Sequence, residues 1–151
     1  MIFERVPLSP DWPEAWLDAY IVDNKQVCNG LLVIPGGRYK QVCTEREGEP
    51  IALAFCGRGI NCFVLHYTVA PNAVFTQQLI EAALAMKHFK TNADRYHVDP
   101  ERIYAVGFSA GGHLTGSLGT LWHIPAVAEA LGGNAELAKP KGMVLCYAVL
   151  S

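Results

Sequence analysis

Four short runs of this chain are apolar almost from end to end: LLVI (31–34), CFVLHYTV (62–69), IYAVGF (103–108) and MVLCYAVL (143–150). A strand with one face in water alternates apolar and polar residues. Unbroken runs of this length therefore describe strands buried on both faces, as in a parallel sheet covered by helices on each side. A fifth segment, WLDAYIV (16–22), alternates more and reads as an antiparallel edge strand. The segments between are helical in character. Glu49-Pro50 opens IALAFC, with proline at a first-turn position where its missing N–H costs nothing. Between Thr76 and Lys90, Leu79, Ala83 and Met86 recur at helical spacing, with Ile80 and Leu84 widening the stripe. VDPER (98–102) then breaks the helix before the next strand. The segment Ala110 to Leu121 carries Gly111, Gly112, Gly116 and Gly119. So many poor helix formers in one helix point to close packing against the sheet. With right-handed crossovers, this order predicts a doubly wound, mostly parallel α/β sheet with helices on both faces. A hydrophobic share of 51% against 17% charged residues suits such a core, and 151 residues suit one domain.

Ligands of such sheets bind beyond the carboxyl ends of the strands. Two glycine-bearing turns fall there, Pro35-Gly36-Gly37 and Gly107-Phe108-Ser109-Ala110-Gly111. The second matches G-x-S-x-G, in which a strand turns so sharply into a helix that the serine is strained and its hydroxyl exposed. The helix that follows offers free N–H groups and its positive dipole end to a developing oxyanion. Ser109 is the candidate nucleophile, the Ala110 N–H one oxyanion donor, and Gly36 or Gly37 the second. A bare G-x-S-x-G also occurs in structural turns. Its place at a strand-to-helix junction, with a second glycine loop ending an earlier strand, favours the catalytic reading. A nucleotide site is disfavoured, because GFSAGG lacks the G-x-G-x-x-G pattern and no phosphate-binding lysine follows.

A formal charge of −2 gives no basic face for nucleic acid or an anionic membrane. The five cysteines (28, 43, 56, 62 and 146) are odd in number, scattered and without a CxxC pair. They read as small buried residues of a reducing compartment rather than a metal site or a disulfide framework. No cofactor or metal is indicated. The N-terminus, MIFERVPLSPDWPEAW, shows no signal-peptide pattern, and no run approaches the roughly 20 apolar residues of a membrane span, so a cytoplasmic protein is expected.

The blocks LLVIPGGRY, EREGEPIALAFCGRGINCFVLHYTVAP and VDPERIYAVGFSAGGHL, covering most of residues 31 to 114, resemble the α/β hydrolases of the esterase/lipase type. In particular they resemble acetyl-xylan-esterase-like and feruloyl-esterase-like enzymes. It implies a serine carboxylesterase removing small acyl groups, often acetyl, from carbohydrates. Ser109 then matches the nucleophile, and Ala110 and the Gly36-Gly37 loop the oxyanion hole. Relatives commonly have a third glycine where this chain has Arg38; a positive φ there would strain the arginine. Its guanidinium reads as solvated, or as reaching a substrate oxygen.

In this fold the acid and the histidine follow the serine in that order. After Ser109 the acids are Glu129 and Glu136, and the histidines His113 and His123. His113 reads as a buried structural residue bonded to a neighbouring loop, and His123 as the end of the same helix. His66 reads as a core residue, and His88 and His97 as solvated. None is placed as the base. The chain ends directly after the sixth strand of the family fold, so residues 1–151 are expected to form one C-terminally incomplete α/β-hydrolase domain. Its last strand would be an exposed edge open to self-association. The alternative reading is a non-catalytic hydrolase relative that serves as a binding or interaction module.

Overall fold

The computed structural model describes residues 1–22 and 26–150. Among them, six strands form one sheet: β1 (Ile2–Pro7), β2 (Trp16–Ile21), β3 (Cys28–Ile34), β4 (Asn61–His66), β5 (Val98–Phe108) and β6 (Met143–Cys146). Five helices accompany them: α1 (Thr44–Glu47), α2 (Glu49–Cys56), α3 (Phe75–Thr91), α4 (Ala110–Leu121) and α5 (Pro125–Ala130), with a short 3-10 turn at Ala135–Ala138. The strand order is β1-β2-β4-β3-β5-β6. The β3–β4, β3–β5 and β5–β6 pairs are parallel; β1–β2 and β2–β4 are antiparallel.

The apolar runs are unbroken because both faces of the central strands are buried. Leu32, Ile34, Phe63, Leu65, Ile103 and Ala105 face a core closed by Leu79, Met86 and Phe89 of α3 and by Leu114 and Leu118 of α4. Their neighbours Leu31, Val33, Cys62, Val64 and Val106 face the other way, onto Ala52 and Cys56 of α2. Cys43, Cys56 and Cys62 are buried and Cys28 and Cys146 half-buried, all of them free thiols. Buried polar side chains serve the backbone, Asn61 and Glu81 among them. Asn61 accepts from the Val22 N–H at 2.8 Å and donates to the Tyr96 carbonyl at 2.7 Å. Glu81 accepts from the Thr68 N–H at 2.8 Å and the Thr68 hydroxyl at 2.6 Å, tying α3 to the chain leaving β4.

Several expectations need correction. Trp16–Ile21 is antiparallel but not an edge, because Ile2–Pro7 pairs outside it. That outer strand carries Glu4, Arg5 and Pro7, the charges and proline usual on a protected edge, and these hid it from a search for apolar runs. Residues 98–102 are not a break but the start of β5, since α3 already ends at Thr91. The last run is a strand only over Met143–Cys146. His123 lies just beyond α4, which ends at Leu121.

The glycines of α4 do lie against the sheet. A methyl group on Gly111 would stand 2.1 Å from the Ile34 carbonyl oxygen and 2.4 Å from that of Pro35. One on Gly107 would stand 2.2 Å from the Gly111 carbonyl oxygen. At Gly116 the same methyl would meet only Leu145, at 3.5 Å, an ordinary contact. Gly111→Ala is therefore expected to destabilise the fold by about 3 kcal/mol by pushing α4 off β3. Gly116→Ala should stabilise it by about 0.5–1 kcal/mol, through helix propensity alone. Urea unfolding of the two variants checks both signs.

Candidate active site

β5 delivers the chain to Ser109 in the left-handed region, at φ 54° and ψ −115°. Such a conformation costs a non-glycine residue on the order of 1–3 kcal/mol and persists only where the surroundings enforce it. Here the surroundings are backbone bonds. The Ser109 N–H donates to the Cys146 carbonyl at 3.0 Å, and its own carbonyl accepts from the N–H groups of His113 at 3.0 Å and Val149 at 3.3 Å. A serine preceding a helix ordinarily turns its hydroxyl inward to cap the first turn. Ser109 makes no such cap bond. Ser109 lines a cleft of about 410 Å³ together with Gly37, Arg38, Gln41, Cys43, Arg46, Glu47 and Tyr147. The first turn of α4 carries no acidic residue, so nothing there offsets its positive end.

The glycine loop after β3 reaches the same place. A methyl on Gly36 would stand 3.1 Å from the Ser109 Cβ and 2.5 Å from the Phe108 carbonyl oxygen. The two glycines are not equivalent. The Gly36 N–H donates to Glu47 Oε1 at 2.9 Å. Gly37, at φ 139°, lines the cleft, and among the described residues its N–H and that of Ala110 make no hydrogen bond. Arg38 and Tyr39 continue the loop at φ 60° and 59°. The positive φ that would strain an arginine is thus present.

Side chains from outside hold this loop, and of these Tyr67, Glu47 and Tyr147 were not singled out from the sequence. The buried Tyr67 hydroxyl donates to the Pro35 carbonyl at 2.6 Å, and burial raises its pKa. Glu47 takes the Gly36 N–H on one oxygen and the Tyr147 hydroxyl on the other. Tyr39, whose pKa burial also raises, bonds His113 Nδ1 at 2.8 Å through its hydroxyl. His113 is half-buried, bonded to a neighbouring loop as expected of a structural histidine.

The other histidines lie elsewhere. His66 sits at the end of β4, half-buried and stacked on Trp16 with ring centroids 3.8 Å apart. His88 is not solvated; its Nε2 lies 2.9 Å from the Tyr96 hydroxyl. Burial lowers the pKa of both. His97 and His123 are exposed. Among the described residues no histidine hydrogen-bonds the Ser109 hydroxyl.

A strained serine beside a helix N-terminus, with a glycine loop against it at the carboxyl end of a mostly parallel sheet, invites comparison with known proteins. The BD-FAE family model matches residues 17–142. The chain belongs to the BD-FAE family. Within that relationship it is 34% identical over 139 residues to endo-1,4-beta-xylanase B of Butyrivibrio fibrisolvens, covering 89% of this chain and 21% of that protein. It is 27% identical over 91 residues to the acetylxylan esterase of Xylanibacter ruminicola, covering 60% of this chain and 19% of that one. Among solved structures, an acetyl ester-xyloside bifunctional hydrolase from Caldicellulosiruptor lactoaceticus superposes with a TM-score of 0.83 at 30% identity, covering 98% of this chain and 58% of its own. The α/β-hydrolase enzyme MGS-M1, from a Medee basin deep-sea metagenome library, gives 0.75 at 37%, covering 79% and 51%. This BD-FAE chain has the α/β-hydrolase fold. It spans about a fifth of the length of these curated relatives and just over half of the solved chains. Among the described residues no helix is long and apolar enough to cross a membrane.

Glu47 follows the glycine loop inside a charged run, TEREGE, in which nothing local sets it apart from its neighbours. Only the fold shows that its carboxylate points inward. Glu47→Ala would leave the Gly36 N–H without its acceptor, at a cost of about 1–2 kcal/mol in stability. A loop displaced by even 1 Å should slow reaction at Ser109 by roughly 10–100-fold. Denaturant unfolding together with the rate of covalent labelling at Ser109 checks both.

Proposed function

We propose that this chain carries the nucleophile and oxyanion hole of a serine carboxylic-ester hydrolase acting on small acyl groups, acetyl esters of carbohydrates among them. One observation carries the reading: the left-handed Ser109, uncapped and lining a cleft at the N-terminus of α4. In this reading Ser109 Oγ attacks the ester carbonyl carbon and a tetrahedral intermediate forms. Its oxyanion takes hydrogen bonds from the Ala110 and Gly37 N–H groups, which have no other partner among the described residues. Of the two loop glycines, Gly37 is the donor; Gly36, engaged by Glu47, shapes the loop. The intermediate collapses as the alcohol leaves, and water releases the acid from the acyl-enzyme.

The names of the relatives support the substrate class, since they include an acetylxylan esterase and an acetyl ester-xyloside hydrolase. The described residues provide no base for the serine proton. A serine hydroxyl with an oxyanion hole but no histidine reacts only with activated substrates, and slowly. A fluorophosphonate probe should label the 151-residue chain at a single site, and Ser109→Ala should abolish the labelling. Turnover of 4-nitrophenyl acetate should fall at least about 10⁴-fold below that of an enzyme with a complete triad. Folded protein that resists labelling would overturn the proposal.

A second reading, an interaction module, is favoured by the outer edge of the sheet at β6. Met143, Val144 and Leu145 are exposed there, at 41%, 55% and 37%, and the run 143–150 contains no charge, proline or glycine. The opposite edge strand carries Glu4, Arg5 and Pro7. An edge without such protection pairs readily with another strand, here that of a second copy. Light scattering should show concentration-dependent association that Val144→Lys abolishes; a monomer at all concentrations would exclude this reading.

A further inference from the structure

We infer that the Ser109 cleft takes esters bearing a carboxylate close to the scissile bond, recognised by Arg38 with Arg46; the inference rests on the proposed role of Ser109. Both guanidinium groups belong to residues lining the same cleft as Ser109. Arg38 has neither an ion pair nor a hydrogen bond among the described residues, and its side chain is exposed. It also occupies a backbone position at φ 60° that glycine would adopt without strain. Arg46 is held to the cleft by a bond from its Nη2 to the Cys43 sulfur at 3.4 Å, and it too has no carboxylate within ion-pair distance.

Among the described residues Glu47 is the one acid lining the cleft, and both its oxygens accept hydrogen bonds, from the Gly36 N–H and the Tyr147 hydroxyl. Arg46 is met in part by the charges of Glu45 and Glu47, so Arg38 is the cation left uncompensated beside the nucleophile among the described residues. A guanidinium matches a carboxylate in both charge and shape, so an uncompensated Arg38 suits an ester, of a carbohydrate or otherwise, that carries one. The anion could sit on the acyl or on the alcohol side of the ester; the chemistry of recognition is the same.

Three serine-reactive phosphonates distinguish these cases. One is neutral ethyl 4-nitrophenyl butylphosphonate; the second ends the butyl chain in a carboxylate, and the third carries the carboxylate on the ethoxy arm. In each, Ser109 Oγ forms a bond to phosphorus, 4-nitrophenolate leaves with the electron pair of the broken P–O bond, and the serine proton goes to water. One of the carboxylated probes should react about fivefold faster than the neutral one at low salt. That preference should shrink towards unity in about 0.5 M sodium chloride. It should disappear in Arg38→Gly and Arg38→Gln and invert in Arg38→Glu. Glycine relieves the backbone strain, so loss of folding cannot account for its result. The faster carboxylated probe identifies the acyl or the alcohol side. Equal rates for all three probes, or a preference that survives in the Arg38 variants, would overturn the inference while leaving Ser109 a nucleophile. No reaction with any probe would remove the nucleophile and this substrate assignment together.

Discussion

Helix α4 packs against the ends of β3 and β5 with no room for a side chain between them, and the rest of the site depends on it. Gly111 lies so near the Ile34 and Pro35 carbonyls that a methyl group would stand within 2.4 Å of either oxygen. Gly107 lies as tightly under Gly111. Only with hydrogen at both positions can β5 turn straight into α4 without an intervening loop. That turn in turn forces Ser109 to φ 54°. The strain at the serine is thus set by packing two residues away on either side. The bonds from Ser109 to Cys146, His113 and Val149 then fix the residue in place.

The glycine loop is held as firmly, by groups from four different parts of the chain. Tyr67 follows β4, Glu47 ends α1, His113 lies one turn into α4 and Tyr147 follows β6. Each bonds a loop residue or the carboxylate that anchors it. Backbone donors aimed at a developing charge are effective because they need no reorganisation when the charge appears. For the proposed oxyanion hole, such preorganisation would come from this surrounding network rather than from the two glycines themselves.

How far the sequence is legible follows from what kind of physics each residue obeys. The central strands are legible because burial on two faces leaves an unbroken apolar signature, and α3 because its buried stripe repeats at helical spacing. Ser109, Gly36, Gly37 and Ala110 were marked because close approach restricts residue type at fixed offsets. β1 was missed because an edge strand is selected for charge and proline, which oppose the strand pattern. Glu47 was missed because one carboxylate satisfying a backbone N–H eleven residues away leaves no local trace. His88 was misread for a related reason: its partner, Tyr96, lies beyond the helix end, and the contact exists only once the chain has turned back. Arg38 shows the middle case, since its departure from glycine was visible but its freedom from any partner was not.

The central claim is that Ser109 and the N–H groups of Ala110 and Gly37 form one nucleophile-and-oxyanion unit. The most direct test is a crystal structure of the protein after reaction with a neutral 4-nitrophenyl phosphonate. The account predicts phosphorus bonded to Ser109 Oγ and the phosphoryl oxygen within about 2.7–3.1 Å of both the Ala110 and the Gly37 nitrogens. Phosphorus on another residue, or a phosphoryl oxygen turned into solvent away from both nitrogens, would contradict it.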